Sequence, residues 1–173
     1  MQETLYAKLL KIKAFVFDVD GIFSSYILIN PLGEHLRIMN TKDGYAIQYA
    51  IKKNYHVCII SGAKCEGIKH RFTSLGVKDI YLNVPKKIVA FEEFVKSKNL
   101  NYEEVLYMGD DIPDYEPMKK SGIAACPIDA VNEIKEIATY ISNYKSGECC
   151  VRDVIELVLK AQNKWLDKES FEW

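Results

Sequence analysis

The sequence predicts an α/β fold in which two layers of helices cover a central, mainly parallel sheet. Short apolar runs alternate along the chain with segments of helical period, a pattern typical of repeated strand–helix units. The length of 173 residues corresponds to one domain with enough chain to bury a core. We therefore expect a single three-layer, Rossmann-like α/β/α domain spanning residues 1–173.

The individual elements follow from the same two patterns. Short runs rich in β-branched and aromatic residues predict strands at Ala14–Phe17, His56–Ile60, Asp79–Leu82, Val105–Met108 and Ile123–Ala125. Apolar residues at helical spacing predict helices at Gly44–Lys53, Lys64–Ser74, Lys87–Lys98, Tyr115–Ser121, Asn132–Ile137 and Val151–Asn163. The C-terminal tail, about residues 164–173, shows no clear period.

One segment after the first strand interrupts this alternation. Ile22–Ile29 and Glu34–Met39 have the composition of extended stretches, and Asn30–Gly33 between them places Pro and Gly where a turn needs them. We expect a β-hairpin inserted over about residues 22–39. The apolar, β-branched residues assigned to one face of this hairpin are Ile22, Ile27 and Ile29.

Composition and charge exclude several classes of partner. The chain has 23 Lys and Arg against 24 Asp and Glu, a formal net charge of -1, so no basic surface is expected for nucleic acid or an anionic membrane. No apolar run approaches the roughly 18 residues of a spanning helix. The N-terminal residues lack a signal-peptide core, and we expect a cytoplasmic protein.

The five cysteines are odd in number and lack metal-ligand spacing, which argues against a disulfide framework or a zinc site.

Polar residues follow several predicted strands, at the edge where ligands bind in open α/β sheets. Asp18-Val19-Asp20-Gly21 follows the first strand, Ser61-Gly62 the second and Gly109-Asp110-Asp111 the fourth, while Lys86-Lys87 precedes the helix after the third. We expect these groups to converge. Carboxylates brought together in this way repel one another unless a cation lies among them, and oxygen-only ligands favour Mg2+. The sequence therefore predicts a magnesium site.

The same residue types suit covalent phosphoryl transfer. Asp18 could attack phosphorus, with a metal neutralising the repulsion between carboxylate and phosphate. Asp20 could protonate the leaving alcohol and later activate water. Ser61 and the amides near Gly62 could bond phosphate oxygens, while Lys87 supplies a fixed positive charge. Each group taken singly is more often a turn former, a helix cap or a surface charge than a functional residue. Only their conjunction at successive strand ends predicts a phosphatase.

With these residues in place, the chain resembles the haloacid dehalogenase superfamily of aspartate-nucleophile phosphatases. The resemblance is carried by four motifs, which are, from first to fourth, Phe15–Gly21, Ile60–Gly62, Lys87 and Gly109–Asp114. The resemblance implies that Asp18 is the nucleophile and Asp20 the acid/base. The Mg2+ ligands it implies are Asp18, Asp20 through its backbone carbonyl, and Asp110. The groups it implies at the phosphate are Ser61, Gly62 and Lys87, and we expect Asp111 and Asp114 to support the metal ligands.

Further residues resemble one branch of this superfamily, the phosphatases of ulosonate phosphates. They are Asn40–Gly44, Arg71, Val151–Asp153 and Lys160–Gln162. The likeness implies an eight-carbon ulosonate 8-phosphate, a precursor of the lipopolysaccharide inner core, as substrate. The residues it implies at the substrate or at a neighbouring subunit are Asp20, Asn40, Thr41, Lys42, Asp43, Gly44, Gln48 and Arg71.

The chain has no room for the cap that many superfamily members insert after the first or second motif. Apart from the hairpin, the segment between Ala63 and Lys87 holds only a helix and a strand. An open site would admit water and lack surface for substrate selection. The resemblance implies that a homotetramer, with associated hairpins and neighbouring subunits, closes each site.

Departures from the family pattern leave two alternatives open. Many relatives carry Arg directly after the second-motif Gly, where this chain has Ala63 and then Lys64, and Lys is not equivalent to Arg at a carboxylate or phosphate. Arg152 could reach a sugar carboxylate instead. One alternative is therefore a phosphatase for another substrate, such as a nine-carbon ulosonate 9-phosphate. The other is a phospho-accepting receiver-like signalling domain, although receivers place the acceptor Asp after the third strand, where this chain has Leu82-Asn83-Val84.

Overall fold

The strands of the central sheet are short, apolar and parallel, as the sequence predicts. The computed structural model describes residues 4–171, apart from the side chain of Glu169. Its strands are β1 (Ala14–Phe17), β2 (Ile27–Ile29), β3 (His35–Arg37), β4 (His56–Ile60), β5 (Asp79–Tyr81), β6 (Val105–Met108), β7 (Ile123–Cys126) and β8 (Tyr140–Ile141). Six of them form one sheet in the order β5-β4-β1-β6-β7-β8, with every neighbouring pair parallel. This confirms the predicted fold class.

The helices form two layers because side chains alternate between the two faces of the sheet. They are α1 (Leu5–Lys11), α2 (Thr41–Lys52), α3 (Glu66–Ser74), α4 (Lys87–Ser97), α5 (Tyr115–Lys120), α6 (Asn132–Ile137) and α7 (Cys150–Ala161). Phe15 and Phe17 of β1 face a core built with α1, α2, α3 and α7. Val16 faces the second core, built with α4, α5 and α6. Within residues 4–171, no helix is both long and apolar enough to cross a bilayer.

The predicted hairpin is present but shorter than expected. β2 and β3 pair antiparallel, with Ile27 opposite Arg37 and Ile29 opposite His35. They form a separate two-stranded sheet. Ile22 is fully buried in the core, so its assignment to the hairpin face was wrong. The chain turns back at the end of β1, where the Ile22 and Phe23 amides bond the Val19 carbonyl.

Several bounds differ from the sequence prediction for identifiable reasons. Helix α2 begins at Thr41 rather than Gly44 because the Asn40 side chain accepts a hydrogen bond from the Lys42 amide and caps it. α1 and the two-residue β8 were not predicted. The tail docks through Trp165, whose ring meets Tyr45 and Tyr49 edge-on, before a 3-10 turn at Lys168–Phe171.

Candidate active site

The carboxyl ends of β1, β4 and β6 meet at one open cleft. Asp18 follows β1, Ser61 follows β4 and Asp110 lies two residues beyond the end of β6. The cleft has a volume of about 860 Å³. Its polar lining residues include Asp18, Asp20, Ser61, Lys86, Lys87 and Glu116, and most of the others are apolar. The fold thus brings together the groups that the sequence places after successive strands.

A buried lysine links two of the carboxylates. Lys87, the first residue of α4, places its Nζ 2.9 Å from Asp18 Oδ2 and 2.8 Å from Asp114 Oδ1. The Tyr107 hydroxyl donates to the same Asp114 oxygen at 2.8 Å. Burial alone would lower the pKa of Lys87, but the two carboxylates outweigh it and raise the pKa above its usual value. Lys87 therefore carries a fixed positive charge beside Asp18.

Three aspartates beside the cleft lie so close together that their negative charges oppose one another. One oxygen from each of Asp18, Asp110 and Asp114 lies within 4.8 Å of the others. Burial, and then the charge of Asp114, raise the pKa of Asp18 to about 7 against the opposing effect of Lys87. Burial, followed by the charges of Asp18 and Asp114, raises the pKa of Asp110 to about 8.

The free oxygens of this cluster fit a hard divalent cation. Asp110 Oδ1 and Asp114 Oδ2 are buried and accept no hydrogen bond from the described residues. An unpaired buried carboxylate oxygen is costly, and a cation with oxygen ligands would remove that cost. Asp114 was expected to support the metal ligands and is itself a member of the carboxylate cluster. Asp111 is exposed, and its side chain accepts a hydrogen bond from the Ile112 amide.

Two glycines allow the carboxylates to come this close. A Cβ on Gly21 would lie 1.9 Å from Asp110 Oδ2, and Gly21 has a φ of +84° that strongly favours glycine. A Cβ on Gly109 would lie 2.3 Å from the Cβ of Asp114. The glycines after Asp20 and before Asp110 are thus required by close packing inside the cleft.

Asp20 is held by an arginine of the hairpin. Arg37 of β3 donates from Nε to Asp20 Oδ1 at 2.6 Å and from Nη2 to Oδ2 at 2.8 Å. The Arg37 side chain is only 5% exposed. Sequence reasoning did not select Arg37, because the pair joins residues 17 positions apart. The available signal was an arginine in the second strand of the hairpin, among Leu36 and Ile38, shortly after Asp18 and Asp20 in the sequence.

Ser61 and its successors form another wall of the cleft. Ser61 is buried, and its Oγ accepts a hydrogen bond from the Ala63 amide at 3.1 Å. Gly62 is exposed, so its backbone is open to a ligand. Ala63 lines the cleft, whereas Lys64 is exposed and lies outside the lining.

The second set of candidate residues lies away from the cleft within the single chain. Asp43 is fully buried, and its Oδ1 accepts from the Arg152 amide at 2.8 Å. Burial raises the pKa of Asp43 to about 6, against hydrogen bonds from the Arg152 and Cys149 amides. Arg71 packs against Gly44, where a Cβ would lie 2.6 Å from its Nη2.

The remaining members of that set occupy neighbouring positions. Thr41 and Arg71 line a separate cavity of about 440 Å³ beside the hairpin, while Lys42 and Arg152 line one of about 340 Å³. Gln48 lies half-buried on α2. Arg152 is paired with Glu156, with Nε 2.5 Å from Oε1, and its guanidinium lies over the Tyr45 and Trp165 rings. The chain alone therefore does not bring these residues to Asp18.

A larger cavity lies at the opposite edge of the sheet but lacks the required chemistry. It has a volume of about 930 Å³ and is lined by residues from the amino ends of the strands, including Lys11, Lys13 and His56. Lys11 is paired with Glu103 and Lys13 with Glu104. We assign the active site to the carboxyl edge because the buried carboxylates and Lys87 converge there.

Comparison with known proteins agrees with this geometry. Residues 79–151 match the sequence model of the haloacid dehalogenase-like hydrolases, and the chain belongs to the haloacid dehalogenase superfamily of phosphatases. This membership removes the receiver alternative. Among its relatives, the 3-deoxy-D-manno-octulosonate 8-phosphate phosphatase of Salmonella typhi is 34% identical over 154 residues, 88% of this chain and 82% of the relative.

Solved structures of similar proteins share the whole fold. The phosphatase of the same name from Yersinia pestis superposes with a TM-score of 0.90 at 32% identity, covering 92% of this chain and 87% of the other. The Moraxella catarrhalis phosphatase, solved with magnesium, phosphate and the KDO molecule, gives 0.90 at 29% identity and covers 92% of each chain.

Proposed function

We propose that this enzyme is a Mg2+-dependent phosphatase that hydrolyses 3-deoxy-D-manno-octulosonate 8-phosphate to the free sugar acid and inorganic phosphate. The observation that carries the proposal is Asp18, buried in the cleft with Lys87 Nζ 2.9 Å from its Oδ2. The similarity to phosphatases named for this substrate, over most of the chain, supports the choice of substrate. We further propose that the product serves lipopolysaccharide inner-core synthesis and that the reaction is cytoplasmic.

The proposed chemistry proceeds in two displacements at phosphorus. A carboxylate oxygen of Asp18 bonds to phosphorus while the bond to the sugar oxygen breaks, and Asp20 gives that oxygen a proton. Asp20 then takes a proton from water as the water oxygen bonds to phosphorus and releases Asp18. Lys87 and the Ser61 region hold the phosphoryl oxygens in both steps. In each step, negative charge on the phosphate oxygens is stabilised by Lys87 and the Ser61 region, which the fold holds in position before the reaction begins.

The proposed Mg2+ ligands are Asp18, the backbone carbonyl of Asp20, and Asp110. When bound, the cation neutralises the carboxylates and the phosphate and so permits their approach. The unpaired Asp110 Oδ1 and the raised pKa of Asp110 support this assignment. Asp114, bonded to Lys87 and Tyr107, orients the lysine and contributes negative charge at the edge of the metal site.

We also propose a homotetramer that completes the site. In the single chain the cleft is open, and the hairpin exposes several large apolar side chains, including Tyr26, Leu28, Ile29 and Ile38. Exposed apolar patches of this kind are typical of association surfaces. Assembly would bring several of the second set of candidates to a neighbour's substrate; they are Asn40, Thr41, Lys42, Gln48 and Arg71. Asp43 and Gly44 are buried and would support these residues from behind.

The test is kcat/KM for phosphate release from a panel of esters, with Mg2+ and with a chelator. The panel contains the eight-carbon ulosonate 8-phosphate, a nine-carbon ulosonate 9-phosphate, a hexose phosphate and an aryl phosphate. We expect at least about a hundredfold preference for the eight-carbon compound, about 2.7 kcal/mol of transition-state discrimination, and loss of activity with chelator. Preference for the nine-carbon compound, the alternative left open by Ala63-Lys64 in place of the family arginine, would keep the chemistry and overturn the proposed substrate.

A further inference from the structure

The active-site cleft contains two lysines, of which only one is engaged by the protein. Lys87 Nζ lies 2.9 Å from Asp18 and 2.8 Å from Asp114. Lys86, the residue that precedes α4, lines the same cleft and is exposed. Its side chain makes no hydrogen bond or ion pair with residues 4–171. Lys86 is therefore available to a second anionic group on a bound phosphate ester.

None of the arginines at positions 37, 71 and 152 lines the cleft. Arg37 holds Asp20 in a two-bond ion pair, and Arg152 is paired with Glu156. Arg71 packs against Gly44 beside a different cavity. The position directly after Gly62, on the cleft wall, is Ala63. Within residues 4–171, Lys86 and Lys87 are thus the cations that line the cleft.

We propose that Lys86 is a specificity-determining residue that pairs with the carboxylate of an acidic sugar phosphate. This proposal rests on the proposed phosphatase function and deepens it. Glu116 also lines the cleft, and its negative charge would repel a substrate carboxylate. The two opposite charges therefore orient the ligand, with its phosphate at Lys87 and its acid group toward Lys86 rather than Glu116.

The expected kinetic signature of Lys86 is in KM. The carboxylate is remote from the reacting phosphorus, so its contact with Lys86 is the same in the ground state and the transition state. An interaction of this kind changes KM and leaves kcat nearly unchanged. A phosphate ester without a carboxylate makes no such contact and should not respond to changes at Lys86.

The experiment compares wild type with Lys86→Gln on two substrates that share a primary phosphate. One is the eight-carbon ulosonate 8-phosphate, and the other is a pentose 5-phosphate, which has no carboxylate. Lys86→Gln should raise KM for the ulosonate phosphate by about tenfold or more, with less than about a twofold change for the pentose phosphate. Lys86→Arg should restore most of the loss, because it keeps the charge. Lys86 is exposed, so thermal unfolding should be unchanged in both variants.

Two matched variants separate a local contact from general electrostatics. Lys64→Gln makes the same change of charge at an exposed lysine outside the cleft lining and should leave the ratio of the two KM values unchanged. Glu116→Gln removes the opposing charge and should lower KM for the ulosonate phosphate alone.

Each remaining outcome decides between the two proposals. Equal losses on both substrates would place Lys86 at the phosphate and overturn its role in specificity. An effect of Lys64→Gln as large as that of Lys86→Gln, or no effect of Lys86→Gln, would also overturn that role. A wild type that hydrolyses the panel without preferring the carboxylate would overturn the role of Lys86 while the phosphatase activity stands. A wild type that hydrolyses no phosphate ester, aryl phosphate included, would overturn the proposed function itself.

Discussion

At the scale of single residues, the central feature of the cleft is Asp18, whose ionised form is disfavoured by burial and by a neighbouring carboxylate. Asp18 is 6% exposed and is flanked by Asp110 and Asp114, and Lys87 is its ion-pair partner within residues 4–171. Such conflicts of charge cluster at functional sites, where the missing partner is a substrate or a metal. Phosphoryl transfer explains this arrangement, whereas in a purely structural loop it would lower the stability of the fold without a benefit.

Replacing Asp18, the proposed nucleophile, should therefore separate activity from folding. Asp18→Asn should lower kcat by at least about a thousandfold, because an amide cannot attack phosphorus. The thermal unfolding midpoint should change little, since Lys87 keeps Asp114 as a partner and the repulsion among the aspartates is reduced. The control is Asp79→Asn, which removes a carboxylate paired with Lys98 outside the cleft and should leave kcat intact. Retained turnover in Asp18→Asn would rule out the covalent mechanism.

Metal binding should depend steeply on pH. The pKa values of about 7 for Asp18 and about 8 for Asp110 without metal mean that protons must leave before a cation can bind. We expect the apparent affinity for Mg2+ to fall by about tenfold or more between pH 8 and pH 6. Calorimetry in two buffers of different ionisation enthalpy should detect the released protons, and an affinity independent of pH would contradict the acidic site.

A second buried carboxyl predicts a pH effect on stability. Burial raises the pKa of Asp43 from 3.8 to about 6, so the folded state prefers the protonated group. Its contribution is favourable at low pH and is lost as pH rises through about 4 to 6. Asp43→Asn keeps an acceptor for the Arg152 amide without this penalty, and its stability relative to wild type should rise by roughly 2–3 kcal/mol over that range.

The measurement for Asp43 is the free energy of unfolding in denaturant at several pH values. Asp129→Asn is a suitable control, because that residue is exposed while still accepting a hydrogen bond from the Ser146 amide. A difference between wild type and Asp43→Asn that stays constant from pH 4 to pH 7 would contradict the buried-carboxyl explanation.

At the scale of elements, the hairpin forms a separate small sheet that is linked to Asp20, the proposed acid/base. Arg37 on β3 makes a two-bond pair with Asp20, so the position of β3 determines where the acid/base group points. Arg37→Gln should lower kcat by roughly tenfold to a hundredfold, because general acid–base catalysis depends on placement. Arg37→Lys should recover part of this, since it keeps the charge but not the planar fork.

The control for Arg37 lies in the same hairpin. Glu34 bonds Asn30 within the turn and does not line the cleft, so Glu34→Gln should leave kcat unchanged. If Arg37→Gln changed only KM, Arg37 would be a substrate contact and its positioning role would be wrong.

The elements also separate what the sequence could predict from what it could not. The buried strands β1, β4 and β6 match their predicted bounds because each is a short, mainly apolar run followed directly by a small or polar residue, namely Asp18, Ser61 and Gly109. α1 was not predicted because it precedes the first strand and so lies outside the strand–helix alternation from which the other helices were assigned. Its place depends on long-range contacts with α7. The start of α2 was missed because a capping bond, from the Lys42 amide to Asn40, defines it rather than periodicity.

For the site, the sequence predicts the groups that strand ends bring together and misses those that tertiary pairing adds. Asp18, Ser61, Lys87 and Asp110 follow from parallel topology alone. The contact of Arg37 with Asp20 and the engagement of Arg152 by Glu156 depend on side-chain geometry that no spacing encodes. Chemistry was therefore more predictable than substrate recognition.

At the scale of the whole molecule, the open cleft and the exposed apolar hairpin both lead us to expect self-association. Leu28 is 64% exposed and Ile38 88% exposed, so neither contributes much to the core of the single chain. Replacing both with Glu should weaken assembly, because charges at an apolar interface are costly to bury. The thermal unfolding of the dissociated chain should be affected far less.

Sedimentation over a range of concentrations measures this directly. We expect wild type to sediment as a tetramer and Leu28→Glu/Ile38→Glu to dissociate, with kcat/KM for the ulosonate phosphate falling in parallel and activity on a small aryl phosphate falling less. Leu10→Glu, at an exposed position of α1 beside the opposite edge of the sheet, should leave assembly intact. A wild type that is monomeric at every concentration, yet fully active on the ulosonate phosphate, would show that one chain suffices for recognition and that the hairpin does not complete the site.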